Sequence, residues 1–497
     1  MRKLSLFIFV FGALFFNSCN EVTPVIKKTL TVTPDSLEFV IEGGIDSITI
    51  STDAREWSVV STETWVTTSV DFGITKQKTI AVTVDKNPVK GVRTAYLKIA
   101  APDADTATVK IIQVTRSVTG TDFPDYSNPI PADNTGMNST ALQLAKQMFM
   151  GWNLGNTLEV PGSETAWGNP KATQLLIDSV KAAGFNAIRL PCAWNSYIQD
   201  AKTYKIKDSW LARVKEVIDY CYKNNMYIIL NIHWDGGWLE NNCTVAKQDI
   251  NNIKQKALWE QIAVYLRDYD EHLMFAGSNE PNVDNATQMA VLMTYHQTFV
   301  DAVRSTGGRN AYRTLVIQGP STDITKTNQL MNSMPADKVS NHLMAEVHYY
   351  TPWNFCGMTK DETWGSMYYY WGNGYHSTTD TGHNASWGEE TDVIKLFQLM
   401  KVKFADKGIP VILGEFGAGR RNNLTGDALT LHLASRAYFY EYIFKQAKNY
   451  GMVPFLWDTG IHNSFDMGVI DRNSGAISDR QAYTALQKGA TLGVYPY

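Results

Sequence analysis

The chain of 497 residues is longer than an ordinary single domain, and its hydrophobic content of 44% supports a large core. A formal net charge of −4 offers no basic field for nucleic acid, and five scattered cysteines match neither a disulfide framework nor a zinc-ligand pattern. The composition therefore predicts two globular domains, and the 14 tryptophans and 24 tyrosines indicate stacking surfaces in addition to a core.

The first 19 residues are predicted to be a lipoprotein signal peptide. Arg2 and Lys3 precede an apolar run, residues 4–16, that is too short to span a bilayer comfortably. The run leads into Asn-Ser-Cys19, which resembles a bacterial lipobox with Cys19 as the lipidated residue. The alternative is an ordinary secretory signal with an incidental cysteine. We therefore expect a secreted lipoprotein at the outer membrane or cell surface, a monomer whose membrane contact is the lipid anchor.

Short segments of alternating polarity fill residues 28–116, with turn residues between them at the spacing of a β-sandwich. This part of the chain carries no carboxylate pair and no histidine cluster. In Glu56-Trp57, Trp65-Val66 and the closing Ile-Gln-Val-Thr it resembles the BACON modules that precede carbohydrate-active catalytic domains in Bacteroidetes. The resemblance implies a small all-β immunoglobulin-like sandwich domain. Its role would be either glycan binding or that of a rigid spacer, and we favour the spacer.

The pattern changes after residues 117–138, where prolines and glycines among small polar residues predict a stiffened linker. From residue 139 to residue 497, eight apolar runs alternate with amphipathic stretches of helical period. This alternation predicts an α/β fold, a (β/α)8 TIM barrel that forms the catalytic domain. The predicted strands start near Phe149, Ala187, Tyr227, Leu273, Thr314, Leu343, Pro410 and Met452.

Polar residues follow the predicted strands at their carboxyl ends, where barrel enzymes place their chemistry. Pro281 ends the fourth strand and leaves Asn279 and Glu280 there, and Glu415 follows the seventh strand in the same way. Two carboxylates at strand ends are what the cleavage of a glycosidic bond requires. Each further polar group, taken singly, could have a purely structural role. Because seven of the eight strand ends carry such a group, we favour a shared site. These further groups are Asn156, Arg189, His233, His348, Tyr350 and Trp457.

The longest predicted loop, residues 352–391, follows the sixth strand and is rich in aromatic residues. Because loops at this end of a barrel cover the active site, we expect these side chains to face substrate. For each of them the alternative is a small core beneath the loop. The residues are Trp353, Trp364, Tyr368, Tyr369, Tyr370, Trp371, Tyr375 and Trp387.

The ordered set Arg189, His233, Asn279-Glu280, His348-x-Tyr350, Glu415 and Trp457 resembles glycoside hydrolase family 5. Residues 151–157, 164–170 and 348–355 resemble subfamily 4 of that family, and the resemblance spans the whole barrel. One departure is visible, since many relatives carry His-His where this chain has His233-Trp234, which puts one substrate contact in doubt. The resemblance implies neither a metal nor a cofactor.

The resemblance implies Glu280 as the general acid/base and Glu415 as the nucleophile of a retaining reaction, with carboxyls about 5–5.5 Å apart. We expect a raised pKa at Glu280 and an ionised Glu415. Arg189 and Tyr350 would orient Glu415, and His348 would orient Glu280. We also expect a cis peptide bond at Trp457–Asp458. The implied substrate contacts are Asn156, His233, Asn279, Trp353 and Trp457.

The predicted activity is that of an endo-β-1,4-glucanase acting on plant cell-wall β-glucan, with xyloglucan as the leading substrate. Cellulose derivatives and mixed-linkage glucan are the alternative, and mannan is a more distant one. A non-catalytic surface glycan-binding protein is the remaining alternative, against which the presence of both carboxylates and their supporting residues argues.

Overall fold

The computed structural model describes residues 27–39, 41, 43–88, 92–114, 123–460 and 465–497. The chain divides near residue 117 into two units, each with its own core. The predicted signal peptide and Cys19 lie outside the described residues. Within the ranges given above, no helix combines the length and the apolar character needed to cross a membrane.

The amino-terminal unit is a β-sandwich, as the alternating pattern predicts. One sheet has the strand order β1-β3-β7-β5 and the other the order β2-β9-β8-β4-β6. Alternate residues of each strand point inward, so that Trp57, Ile50 and Leu97 are buried between the sheets. The strands are β1 (Leu30–Thr33), β2 (Ser36–Phe39), β3 (Gly44–Thr52), β4 (Trp57–Ser61), β5 (Val66–Thr68), β6 (Phe72–Gly73), β7 (Gln77–Val84), β8 (Arg93–Ala100) and β9 (Ala107–Gln113).

The second unit contains the eight predicted strands and a few short additional ones. Its strands are β10 (Ile130–Ala132), β11 (Gly151–Leu154), β12 (Ala187–Leu190), β13 (Ile198–Asp200), β14 (Lys205–Ile206), β15 (Tyr227–Asn231), β16 (Leu273–Ala276), β17 (Gly307–Gly308), β18 (Leu315–Gln318), β19 (Leu343–Tyr349), β20 (Val411–Phe416), β21 (Arg420–Arg421), β22 (Met452–Asp458) and β23 (Phe465–Asp466).

The helices of this unit follow the amphipathic stretches between the strands. Several begin at a side chain that accepts a hydrogen bond from the first turn, including Thr140, Thr173, Asn285 and Asp479. The helices are α1 (Ala141–Gln147), α2 (Gln174–Ala182), α3 (Asp208–Lys223), α4 (Gln248–Tyr265), α5 (Ala286–Ser305), α6 (Ile324–Leu330), α7 (Trp353–Cys356), α8 (Glu390–Lys403), α9 (Gly426–Asn449) and α10 (Arg480–Leu492).

Eight parallel strands close into a barrel in the order β11-β12-β15-β16-β18-β19-β20-β22, which confirms the predicted (β/α)8 fold. The ladder between β11 and β22 closes the ring, with Gly151 opposite Phe455. Small and medium apolar side chains fill the lower interior, where Met274, Val316 and Ile412 pack against helix α1. Helix α1 covers the amino-terminal end of the barrel. The polar side chains of the strands lie at the opposite, carboxyl end.

Much of the predicted linker packs on the barrel, so the linker was predicted too long. Strand β10 pairs with β17, and the Tyr126 N–H donates to the carboxylate of Glu260 at 3.1 Å. Arg267 donates to the carbonyl of Asn128 at 2.8 Å. The polar backbone of residues 123–138 finds hydrogen-bonding partners on the barrel, which composition does not reveal. Residues 115–122 lie outside the described part of the chain.

The prediction of a cis peptide bond at Trp457–Asp458 was wrong. In the described part of the chain the cis bonds are Thr33–Pro34 and Thr351–Pro352. The Trp457–Asp458 bond is trans, and Asp458 continues the parallel ladder opposite Leu154.

The closure of the barrel generates a prediction about Gly151. A Cβ atom at this position would lie 2.5 Å from the Phe455 ring and 2.6 Å from the carbonyl oxygen of Pro454, so the strands would have to separate. We expect Gly151→Ala to lower the free energy of unfolding by about 1–3 kcal/mol, measured by urea denaturation. Gly382→Ala is the control, because its added Cβ would meet no atom within 4 Å. Equal effects of the two substitutions would contradict the prediction.

Candidate active site

The polar strand ends predicted from the sequence meet at the carboxyl end of the barrel. His348 lies opposite Glu415 in the ladder between β19 and β20, and a register shift after Val347 skips Gly414. Arg189 lies on β12 opposite Asn153 of β11. The structure therefore gathers groups from separate strands into one cluster.

Arg189 is the centre of this cluster, and its side chain is fully buried. Nη1 donates to Glu415 Oε1 at 2.8 Å and to Asn153 Oδ1 at 3.0 Å. Nη2 donates to Asn279 Oδ1 at 2.8 Å, and Nε lies 3.0 Å from Glu346 Oε1. One guanidinium therefore fixes two carboxylates and two amides, which a planar fork of donors is suited to do.

Glu415 is held from two sides. Besides Arg189, the Tyr350 hydroxyl donates to Glu415 Oε2 at 3.0 Å. Burial raises the pKa of Glu415, and the positive charges of His348 and Arg189 oppose that rise. Only 7% of its side chain is exposed, so this carboxylate has a fixed orientation within a nearly dry environment.

Glu280 is more accessible, with 41% of its side chain exposed. His348 Nδ1 lies 2.6 Å from Glu280 Oε1, and the Thr322 hydroxyl donates to the same oxygen at 3.4 Å. Desolvation raises the pKa of Glu280, but the hydrogen bond and charge of His348, with help from Arg189, hold it below the ordinary value. The backbone N–H of Glu280 donates to Glu240 Oε1 at 2.7 Å.

The raised pKa expected at Glu280 was wrong for the free protein, in which the pKa of Glu280 is lowered. The cause is His348, which contacts a carboxylate on each side of its ring and whose hydrogen bond and charge outweigh the burial of Glu280. The pKa of Glu415 is raised by burial, an effect that His348 opposes. Burial lowers the pKa of His348, but the charge of Glu415 and the hydrogen bonds that His348 donates to Glu280 and Glu346 raise it to about 10. The free site therefore keeps its proton on the imidazole, one hydrogen bond away from Glu280.

The other predicted contacts border this cluster. The rings of His233 and Trp457 stack, with centroids 5.7 Å apart and an interplanar angle of 6°. Burial and the charges of Arg189 and His348 lower the pKa of His233 well below its ordinary value, so its imidazole is neutral. The two parallel, uncharged rings are called the His233–Trp457 wall below.

Asn156 lies in the loop after β11 with a φ of +57°, a left-handed conformation that asparagine tolerates. Its N–H donates to the buried carboxylate of Glu159, and its carbonyl accepts from Asn169 at 3.0 Å. Trp353 starts α7 and is 48% exposed, with its ring 6.3 Å from that of Tyr350. Both residues lie in loops at the carboxyl end of the barrel, and the contacts above show no direct bond to the charged groups.

The aromatic loop, residues 352–391, contains both exposed and buried aromatic side chains. Trp364 and Trp387 are exposed like Trp353, and they extend the aromatic surface at this end of the barrel. Tyr370 and Trp371 are instead buried, and Trp371 packs against Phe439 of α9. The sequence pattern could not separate the two groups, because burial depends on contacts with α9.

Two functional candidates were missed by the sequence analysis. Glu346 lies beneath the catalytic cluster, and a signal existed, since Glu346, His348 and Tyr350 are two residues apart and share one face of a strand. Glu240 accepts the Glu280 N–H through its side chain and the Asn282 N–H at 2.8 Å through its carbonyl. It begins a single 3-10 turn, Glu240–Asn242, which is too short for a sequence periodicity to mark it.

The separation of the two carboxylates limits the chemistry. An oxygen of Glu280, an oxygen of Glu415 and a ring nitrogen of His348 all lie within 4.8 Å of one another. Retaining cleavage of a glycosidic bond uses carboxyls roughly 5–5.5 Å apart, whereas inverting cleavage needs about 6.5–9.5 Å to admit a water molecule. The arrangement fits the retaining geometry.

Comparison with protein families gives two matches. Residues 153–463 match the family model described as cellulase (glycosyl hydrolase family 5), and residues 29–116 match a model described as a viral BACON domain. The second match confirms the predicted character of the amino-terminal sandwich.

Individual relatives agree with these matches. A xyloglucan-specific endo-β-1,4-glucanase of Bacteroides ovatus is 36% identical over 91% of this chain and 90% of its own length. The solved structure of a Bacteroides ovatus GH5 xyloglucanase with a XXXG heptasaccharide covers 93% of this chain and 100% of that chain, with a TM-score of 0.68 and 34% identity. A GH5-4 broad specificity endoglucanase from Ruminococcus champanellensis with bound cellotriose covers 70% of this chain and 99% of its own, with a TM-score of 0.60 and 32% identity.

Proposed function

The chain belongs to glycosyl hydrolase family 5 as an endo-β-1,4-glucanase, and we propose that it cleaves xyloglucan with retention of anomeric configuration. The observation that carries the retaining mechanism is the 4.8 Å limit on the separation of the Glu280 and Glu415 oxygens. The preference for xyloglucan is supported by the printed specificity of the Bacteroides ovatus relatives.

Glu415 is the proposed nucleophile. The ion pair with Arg189 favours its ionised form, and the Tyr350 hydroxyl fixes its second oxygen. The carboxylate attacks the anomeric carbon while the glycosidic C–O bond breaks, which gives a covalent glycosyl intermediate. The low exposure of Glu415 keeps competing water away from its attacking oxygen.

Glu280 is the proposed acid and base. It protonates the departing glycosidic oxygen in the first step, and in the second it takes a proton from the water that attacks the intermediate. Its greater exposure supports an approach of the polysaccharide chain and of water from the side of Glu280. An open approach of this kind suits internal cleavage of a long chain.

The sugar at the point of cleavage would rest against the His233–Trp457 wall. Stacking on an uncharged aromatic surface binds the apolar face of a pyranose ring without favouring one hydroxyl. Arg189 occupies the Oδ1 of Asn279, and the Asn279 side chain also hydrogen-bonds to Glu240. The amide Nδ2 carries two hydrogens, so one of them is the proposed donor to the sugar 2-hydroxyl. A hydrogen bond at that hydroxyl strengthens in the oxocarbenium-like transition state.

Unbranched β-glucan is the second candidate substrate. The relative from Ruminococcus champanellensis is described as a broad specificity endoglucanase with bound cellotriose. The exposed Trp353, Trp364 and Trp387 offer stacking surfaces to a branched or a bare glucan, so the aromatic loop alone does not decide between them.

Substitution of the two carboxylates tests their roles. We expect Glu280→Gln to lower kcat/KM on β-glucan by about 10²–10⁴-fold but to slow the first step on an aryl cellobioside with a good leaving group far less, because that group needs no proton to depart. Glu415→Gln is the control and should abolish turnover of both substrates while oligosaccharide binding persists. The first step is measured from the burst of released phenol. Equal losses on both substrates in Glu280→Gln would contradict its acid role.

Product analysis on a panel of glucans tests the substrate. The enzyme is expected to release branched oligosaccharides from xyloglucan fastest, with slower attack on mixed-linkage glucan, carboxymethyl cellulose and glucomannan. Faster attack on the unbranched glucans would favour the second candidate, and absence of hydrolysis on all four would contradict the proposed activity. Proton NMR of fresh digests should show the β-anomer of the new reducing end first, because the carboxylates are too close for inversion.

We also propose that the protein is a lipoprotein anchored at the outer membrane or cell surface. The proposal rests on Arg2 and Lys3, the apolar run and the position of Cys19 directly after it. The amino-terminal sandwich would then hold the barrel away from the membrane.

The anchor is tested by Cys19→Ala in the expressed full-length chain. Without the thiol no lipid is attached, so the variant should move from the membrane fraction to the soluble fraction, as followed by immunoblotting. Cys243→Ala is the control, because this buried cysteine lies in the barrel. Retention of Cys19→Ala in the membrane fraction would contradict lipidation.

A further inference from the structure

Glu346 is a buried carboxylate to which the mechanism above assigns no role. It lies on β19, points into the barrel beneath the catalytic pair, and its side chain is fully buried. A charge in such a place costs several kcal/mol unless it is closely paired. The groups that pair with Glu346 therefore indicate its role.

The contacts of Glu346 use both of its oxygens. Oε1 lies 3.0 Å from Arg189 Nε and 3.2 Å from His348 Nε2. Oε2 accepts from Gln318 Nε2 at 2.6 Å. The orientation of the Gln318 amide is fixed, because its Oε1 accepts from the backbone N–H of Ser278 at 2.9 Å and a 180° flip would break this hydrogen bond.

The backbone leaves room for this carboxylate. A Cβ atom on Gly414 would lie 2.0 Å from Glu346 Oε1, and the register shift between β19 and β20 skips this glycine. The local geometry therefore fixes Glu346 Oε1 beside the His348 ring.

Both ring nitrogens of His348 face a carboxylate, since Nδ1 lies 2.6 Å from Glu280 Oε1 on the opposite side of the ring. A neutral imidazole carries a proton on one nitrogen and a bare lone pair on the other, and a lone pair facing a carboxylate oxygen is repelled. The arrangement therefore matches an imidazolium that donates through both nitrogens.

We propose that Glu346 is a positioning residue for acid catalysis, because it retains the Nε2 proton of His348 and so leaves the Nδ1 proton as the one that passes to Glu280. This inference rests on the acid role proposed for Glu280. His348 then acts as the store of the catalytic proton.

The proposed step is a proton transfer along the short hydrogen bond. The Nδ1–H bond breaks, its electron pair stays on Nδ1, and the proton joins Glu280 Oε1. The product is a neutral imidazole that still donates its Nε2 proton to Glu346, together with a protonated Glu280. That proton goes to the glycosidic oxygen, and the proton taken from water in the second step returns by the same path.

The charges around His348 favour this arrangement. Three carboxylates face His348, and the nearby Arg189 guanidinium opposes them, whereas the neighbouring His233 ring is neutral. Although burial lowers the pKa of His348, the carboxylates raise it to about 10. The groups are Glu280 after β16, Glu346 on β19, Glu415 on β20, Arg189 on β12 and His233 after β15.

A competing arrangement uses the same atoms. Arg189 Nη2 lies 3.5 Å from His348 Nε2 and would donate to that nitrogen if it were bare. His348 would then be a neutral ring with its proton on Nδ1, and Glu346 would pair with Arg189 but not with His348. The 3.2 Å contact between His348 Nε2 and Glu346 Oε1 is shorter than the 3.5 Å contact to Arg189, which favours the arrangement with a proton on Nε2.

Glu346→Gln distinguishes the two arrangements by kinetics. On whichever β-glucan the wild-type enzyme cleaves, we expect kcat/KM to fall on the order of 10²-fold, with a much smaller loss on an activated aryl cellobioside. Removal of a negative charge also lowers the pKa of the His348–Glu280 pair, so the alkaline limb of the pH profile should move to lower pH. Glu346→Asp keeps the charge and should keep the alkaline limb near that of the wild type.

Asp337→Asn is the matched control. It also converts a buried, arginine-paired carboxylate to an amide, since Asp337 pairs with Arg304 at 2.6 Å, but it lies before β19 at the opposite end of the barrel. It should change neither the substrate ratio nor the pH profile. Equal losses on both substrates in Glu346→Gln with an unmoved alkaline limb would overturn the proposal and leave Glu346 as a support for Arg189.

Nitrogen NMR of the wild-type protein labelled with ¹⁵N-histidine tests the same point without a substitution at Glu346. We expect His348, assigned by the loss of its signals in His348→Gln, to carry protons on both nitrogens through neutral pH. A bare Nε2 would overturn the proposal. Because this measurement needs no substrate, its result is independent of whether xyloglucan proves to be the preferred glucan.

Discussion

The buried guanidinium of Arg189 is the interaction on which the catalytic end of the barrel depends. It pairs with Glu415 and Glu346 and holds the amide oxygens of Asn153 and Asn279. Without this positive charge, two carboxylates with almost no exposure would be left in the barrel interior with His348 as their nearest cation, and a buried carboxylate that loses its partner costs several kcal/mol. The same four contacts orient Glu415, the proposed nucleophile, and the amide of Asn279, so charge compensation and the geometry of the site have one source.

Proton placement is the second consequence of this cluster. His348 lies between Glu280 and Glu346 and stays charged in the free enzyme, so the acid begins in its ionised form with the proton next to it. The substrate brings a developing charge on the leaving oxygen, which draws the proton through Glu280. The two glutamates have different neighbours, since Glu415 is buried against Arg189 and Glu280 is partly exposed to solvent. This difference supports the opposite roles proposed for them.

The rest of the barrel separates support from recognition. Helix α1 and apolar side chains such as Met274 and Val316 fill the amino-terminal end, where nothing polar is needed. At the other end, buried members of the aromatic loop such as Trp371 pack on α9 and hold the loop in place. Exposed members such as Trp364 then remain available to a polysaccharide chain. Substrate choice can therefore vary in the loop without disturbing Arg189 or the carboxylates.

The sequence by itself determined the order of the strands, the sandwich before the barrel, and the identity of the polar strand ends, because local periodicity and the proline after Glu280 are written in neighbouring residues. It did not determine the end of the linker, since residues 123–138 take hydrogen-bonding partners from residues in and just after α4, more than 100 residues further along the chain. The pKa order of Glu280 and Glu415, the trans bond at Trp457 and the role of Glu346 were also decided by the tertiary structure. Each depends on groups that the folded barrel brings together from strands far apart in sequence, and electrostatic and packing energies follow distance in space rather than position along the chain.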